Sequence, residues 1–151
     1  MFPLAAIGGQ RFQVSARSIH EINGSLYLKL TVRNCSDVRS VTQLADMPWG
    51  EHAIGLVVYA AGSREGEALR QVTKIADFPD KNIVLQSGSL VSGEINLTNI
   101  FPDLLRYKNY KDLVLFWVYD MSLLEGGRSN YVGGMLPFTS TGNDKEVICS
   151  R

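Results

Sequence analysis

The stretch Asp112–Asp120, DLVLFWVYD, is the most apolar part of the sequence and decides the fold class. In a strand, successive side chains point to opposite faces. One face would carry Leu113, Leu115, Trp117 and Tyr119, and the other Val114, Phe116 and Val118. Because both sets are apolar, the stretch predicts a central strand that is covered on both faces.

Alternation with a period of two continues outside this stretch. Ser25–Arg33, SLYLKLTVR, places leucines and a valine on one face and polar residues on the other, which is typical of a half-buried antiparallel strand. Arg11–Ile19, RFQVSARSI, alternates in the same way. Between them lies Asn23-Gly24, a strong signal for a two-residue hairpin turn. The two segments are therefore predicted to pair.

The remaining segments predict further short strands. Ala53–Ala61 alternates clearly, and the Gly-flanked turn after it favours Glu67–Ala76 as its hairpin partner, although Leu69, Val72 and Ile75 also suit a helix. The other predicted strands are Asn82–Gln86, two short strands divided by a bend at Ser92-Gly93, and Asn130–Phe138 with a bulge at Gly133-Gly134. The one helix candidate is Phe101–Tyr110, where Pro102 suits the first helical turn.

Seven or eight short strands with regular turns predict an all-β, antiparallel sandwich with one short helix near residues 101–109. No repeat or linker is visible, so residues 1–151 form a single predicted domain. The strand that ends in VRNCSD and the later GSLVSGEINL arm before a helical crossover resemble immunoglobulin-like modules. The resemblance implies a sandwich whose loops gather at two ends. The Cys–Trp–Cys spacing of antibody domains is not present. Cys149 follows Trp117 near the end of the chain and does not come after a strand that is predicted to pair with the strand of Cys35.

Charge and composition restrict the partners. The chain has 15 basic and 15 acidic residues, and these cancel, so no overall field draws it to nucleic acid or an anionic membrane. No apolar run approaches the roughly 20 residues of a transmembrane helix. The N-terminal MFPLAAIGG lacks the basic region of a signal peptide. The compartment stays open, with the periplasm or the exterior slightly favoured over the cytoplasm.

The two cysteines, Cys35 and Cys149, allow two interpretations. A disulfide between them would close a loop of about 113 residues, which the chain-entropy model credits with roughly 4–5 kcal/mol, and it would indicate an oxidising compartment. Alternatively they are unrelated thiols. A catalytic role for Cys35 would need a base, and the chain has only His20 and His52.

No motif predicts an enzyme, a metal site or a cofactor. His20-Glu21 and Glu51-His52 are adjacent pairs whose members face opposite ways in a strand, so they chelate poorly. Asp77 and Asp80 lack the spacing of a calcium loop. No glycine pair continues into a phosphate-binding loop.

The predicted binding residues lie in two loops. The first is DMPWGEH, with Met47, Trp49 and His52 as contacts, because Trp49 has no periodic reason to be in a loop and Trp and Met are favoured interface residues. In the alternative interpretation, Trp49 folds inward as a lid on one end of the sandwich. The second loop is LEGGRSNY, with Arg128 and Tyr131 as contacts.

These features predict a non-enzymatic protein-binding module, such as a bacterial inhibitor or immunity protein that occludes a toxin or a hydrolase. Two alternatives remain. One is a pilus- or adhesin-like assembly subunit that adds strands at its edge. The other is a carbohydrate-binding module that uses Trp49, Tyr107 and Tyr110. The expected partner is another protein, and a homodimer is also allowed.

Overall fold

The structure, a computed structural model, describes residues 11–50, 53–61, 67–72, 80–107, 112–123, 131–139 and 149. These residues form an all-β fold with three antiparallel sheets. The strands are β1 (Phe12–Ile22), β2 (Ser25–Asn34), β3 (Ser40–Gln43), β4 (Ile54–Ala60), β5 (Glu67–Ala68), β6 (Asn82–Leu85), β7 (Leu90–Asn96), β8 (Leu113–Tyr119) and β9 (Val132–Pro137). The sheets run β1-β2-β7, β3-β6 and β5-β4-β8-β9.

The predicted hairpin of β1 and β2 is present. Asn23 and Gly24 have φ angles of 50° and 81°, the two positive values that a type I′ turn requires. The pairing aligns Ile22 with Ser25 and continues to Phe12 opposite Asn34. The register shifts once, between Ala16 and Ser18, and so leaves Arg17 as an extra residue. A bulge of this kind in an edge strand discourages pairing with another chain.

One cluster of buried apolar side chains joins the sheets. It takes Leu28 and Leu30 from β2, Val58 from β4 and Leu113 and Leu115 from β8. These are the inward positions that the alternation predicted, because burial of apolar surface selects one face of each strand.

Glycines in two strands differ from the prediction. β7 runs without a break through Gly93, and β9 pairs with β8 without a bulge at Gly133 and Gly134. A side chain at Gly93 would overlap the indole of Trp49, and a Cβ at Gly134 would lie 3.1 Å from Nε1 of Trp117. Both glycines therefore give room to a tryptophan, which sequence alone does not distinguish from a bend.

Three further elements were predicted wrongly or missed. β5 has only two residues, because Val72 N–H leaves the sheet and bonds to Ile100 O at 2.8 Å. The helical region begins earlier than predicted: an α-helix, α1 (Leu97–Ile100), is capped by the Asn96 side chain, and a 3-10 helix follows at Pro102–Arg106. β3 was not predicted, since SVTQ is short and mostly polar.

Candidate functional site

The most unusual surface is the outer face of the four-stranded sheet. Alternate residues of β4, β8 and β9 point outward there, and the strand register aligns them in three rows. We call these nine residues the apolar face: Gly55, Val118 and Gly133 in the first row; Val57, Phe116 and Met135 in the second; Tyr59, Val114 and Pro137 in the third. None of them carries a charge.

Five large side chains of the apolar face are exposed among the residues that the structure describes. The exposed fractions are 43% for Val57, 37% for Tyr59, 44% for Phe116, 47% for Val118 and 60% for Met135. The prediction that β8 is covered on both faces is therefore wrong for the single chain. Only the side with Leu113, Leu115, Trp117 and Tyr119 is buried. Exposed apolar residues are ordinary when scattered, but a contiguous patch indicates an interaction site.

The surface of the apolar face is uneven, because small and large side chains alternate between its rows. The first row has glycines on both sides of Val118, whereas the second row has a large side chain on every strand. The result is a shallow groove of about 330 Å³ lined by Gly55, Val57, Phe116 and Val118, with Gln71 at its margin. Gln71 is fixed there, because its amide donates a hydrogen bond to Leu56 O.

The outer face of the β1-β2-β7 sheet is polar by contrast, and several of its side chains contact one another. His20 Nε2 lies 3.1 Å from Glu94 Oε1, and the His20 ring stacks on Tyr27 with centroids 6.1 Å apart. The hydroxyls of Ser15 and Thr31 are 2.8 Å apart. This face resembles an ordinary solvated sheet, so the molecule presents one polar and one apolar sheet face.

The first predicted binding loop is largely part of the core. Met47 is fully buried, so it is not available as a binding contact, and the prediction for this residue is corrected. Met47 N–H closes the 3-10 turn Leu44–Asp46 on Leu44 O at 3.2 Å, and Gly50 N–H closes the next turn on Met47 O at 2.7 Å. Trp49 is half-buried, packs against the core cluster and lies over Gly93, which favours the lid interpretation. His52 lies outside the described residues.

The contact between Trp49 and Gly93 can be tested by substitution. Gly93→Ala should lower the free energy of unfolding by about 1–3 kcal/mol, because the added methyl group displaces the indole. The measurement is urea unfolding followed by tryptophan fluorescence, whose emission should also shift. Ser92→Ala, on the exposed side of the same strand, is the control. Unchanged stability and emission in Gly93→Ala would show that Trp49 does not lie there.

Tyr119 anchors the same loop from β8. Its hydroxyl donates a hydrogen bond to Asp46 O at 2.5 Å. Burial raises the pKa of Tyr119 far above its usual range, and the carboxylates of Asp46 and Asp120 raise it further. The phenol therefore stays neutral in the folded protein and serves as a structural donor.

The raised pKa of Tyr119 predicts that the folded protein loses stability at alkaline pH. Above pH of about 10 the unfolded chain loses the Tyr119 proton and the folded chain does not, so stability falls as the pH rises. Tyr119→Phe should cost about 1 kcal/mol at neutral pH by loss of the hydrogen bond, and its stability should fall less steeply above pH of about 10. Urea unfolding at several pH values measures both effects. Parallel curves for the two proteins would contradict the assignment.

Of the second predicted loop, the structure describes only Tyr131, which adjoins the apolar face. Tyr131 is 70% exposed and immediately precedes β9, two residues before Gly133. Arg128 lies outside the described residues. The apolar face itself was not predicted from the sequence. The signal for the apolar face was the uninterrupted apolar composition of β8, which was interpreted as a strand buried on both faces.

Cys35 and Cys149 form a disulfide with their Cα atoms 5.5 Å apart. Cys35 directly follows β2, and its N–H donates to Arg11 O at 2.7 Å. The bond holds residue 149 at the end of the β1-β2 hairpin opposite to its turn. In this structure Cys35 is architectural, because its sulfur has no free thiol.

A second depression of about 310 Å³ carries charges of both signs. It is lined by Glu67, Arg70, Asp103 and Arg106, with Tyr107 beside them. The closest approach between opposite charges there is 3.7 Å, from Arg106 Nη1 to Asp103 Oδ1. Pairs of this kind at the surface contribute little.

Comparisons with known proteins add no family: no protein-family model matches the chain, and no curated protein matches it with significant similarity. Within the described ranges, no three His, Cys, Asp or Glu side chains are grouped so that they could hold a metal ion. None of the helices in the described part of the chain is long and apolar enough to span a membrane.

Proposed function

We propose that the protein is a non-catalytic protein-binding module and that the apolar face is its binding surface. The observation that supports this is the composition of β8, whose two faces are both apolar although the chain buries only one. A strand of this composition is typical of sheets covered on both sides. A partner protein would supply the second cover.

The partner surface should itself be apolar and uncharged. A charged group that docked on the apolar face would lose its water without gaining a counter-charge, which is costly. An interface of this kind has an apolar centre and a polar rim. Tyr131 and Gln71, which adjoin the apolar face, are suitable rim residues.

The finer fold proposal is an immunoglobulin-like sandwich in which the β1-β2-β7 and β5-β4-β8-β9 sheets form the two layers. Its support is the single core cluster shared by β2, β4 and β8. In this arrangement the polar and apolar outer faces would lie on opposite sides of the molecule. A partner would then meet the apolar side alone.

We further propose that the module is an inhibitor or immunity protein whose partner is a toxin or a hydrolase. The disulfide supports an oxidising compartment such as the periplasm or the exterior. An enzyme partner would lose activity when the module binds, so inhibition of a captured hydrolase would test this narrower form directly.

The proposal is tested by placing a charge on the apolar face. Phe116→Asp should retain the fold, because Phe116 is substantially exposed, and should lose the partner that the wild type retains. Ser92→Asp adds the same charge at an exposed position of the polar face and should retain it. The readout is affinity capture with the three proteins, followed by a binding constant for the captured partner. Equal binding by Phe116→Asp and the wild type would reject the proposal.

A further inference from the structure

We propose that, in the free protein, a second copy of this chain covers the apolar face in a two-fold symmetric dimer. This inference rests on the proposed function, because it names an occupant of the same surface. A partner protein would then compete with the second copy.

The relief of the apolar face is self-complementary. The row Gly55–Val118–Gly133 is low at both sides, and the neighbouring row Val57–Phe116–Met135 is high throughout. In a second copy related by a two-fold axis that runs across the strands between these rows, the outer side chains of the high row lie against the glycines of the other copy, and Phe116 meets the other copy's Val118. Val57 and Met135 then face the partner's glycines. A closed two-fold interface uses the same patch twice in this way.

The exposed area matches what a stable dimer needs. With about 200 Å² for a large side chain, the five exposed fractions leave on the order of 450 Å² of accessible surface on these residues per copy. Two copies supply about 900 Å². A standard interface buries about 1,600 Å², of which close to 60% is non-polar. The apolar centre of such an interface is therefore already present.

Charge does not oppose the contact. The nine face residues are uncharged, and the whole chain has equal numbers of basic and acidic residues, so two identical copies carry no net charge that would repel. The alternative contact, through the outer face of the β1-β2-β7 sheet, would bury the charged side chains Lys29 and Glu94, which costs desolvation.

Sedimentation velocity from low to high micromolar concentration tests the dimer. The wild type and the control Ser92→Asp should show the same monomer–dimer equilibrium. Phe116→Asp should weaken it by at least about 100-fold, because each copy would bury an unpaired charge. Met135→Asp, on the outermost strand β9 of the sheet, should weaken it similarly and serves if Phe116→Asp does not fold by circular dichroism.

Two results would overturn the inference. One is a wild type that stays monomeric over the whole range, and the other is a dimer that persists unchanged in both aspartate variants. A monomeric wild type would leave the proposed function standing, since that function depends on capture of a different protein. Capture that is insensitive to Phe116→Asp would reject the function whatever the oligomeric state.

Discussion

Removal of the disulfide should lower the free energy of unfolding by roughly 4–5 kcal/mol. Cys35 and Cys149 are 114 residues apart, so the bond restricts almost the whole unfolded chain, and the chain-entropy model gives a gain of this size. The loss is large beside the about 5–15 kcal/mol that stabilises an ordinary domain. Urea unfolding of the wild type with and without reductant measures it.

The control for this experiment is the double variant Cys35→Ser with Cys149→Ser. Its stability should equal that of the reduced wild type and should not respond to reductant. A non-reducing mass two hydrogens below the fully reduced value would confirm the bond in the purified protein. If reductant left the unfolding curve of the wild type unchanged, the bond would not contribute as proposed.

Asn34→Ala should lower the free energy of unfolding by about 3 kcal/mol. Asn34 is fully buried, and its side chain makes four hydrogen bonds. Nδ2 donates to Val38 O and Leu85 O, each at 2.9 Å, and Oδ1 accepts from Ser36 N at 3.0 Å and Ser36 Oγ at 2.7 Å. Alanine leaves the buried Leu85 O without this partner, which costs about 1–3 kcal/mol, and removes three part-buried hydrogen bonds that each contribute about 1 kcal/mol or less.

Asn82→Ala is the matched control, because Asn82 is an exposed asparagine in β6. It should change stability by less than about 0.5 kcal/mol. Asn34→Asp should be at least as damaging as Asn34→Ala at neutral pH, because it removes both donors and buries a charge. Equal stability of the wild type and Asn34→Ala would show that this network is not formed.

The regular parts of the fold could be predicted because they depend on local pattern. Asn23-Gly24 requires φ angles that few other pairs adopt, and the leucines of β2 select one face by their period. These signals lie within a few residues of the strands that they define. The all-β class follows from them without any knowledge of the tertiary contacts.

The errors occurred where distant contacts decide the local structure. Gly93 stays in a strand because Trp49, far away in sequence, packs over it. β5 ends early because Gln71 and Val72 bond to Leu56 and Ile100 instead of continuing the ladder. Met47 is buried although its loop is rich in turn residues. None of these partners can be recognised from the local sequence.

The candidate site was likewise predicted only in the part that depends on local sequence. The sequence identified β8 as apolar on both faces, and this property of the strand is present in the structure. The sequence did not show that one face of β8 stays exposed. That exposure depends on where β4 and β9 pair with β8 and on which residues pack against each face of the sheet. Trp49 was predicted as a binding residue because of its loop position, whereas the exposed aromatic residues of the four-stranded sheet are Tyr59 and Phe116.

The most direct measurement of the central claim is hydroxyl-radical footprinting of Phe116 and Met135, read by mass spectrometry. In the dilute monomer both side chains should be modified readily, as their exposure requires. In the dimer or the partner complex their modification should fall sharply, while Tyr27 on the polar face stays unchanged. If Phe116 and Met135 remained equally reactive in every associated state, the apolar face would not be the binding surface.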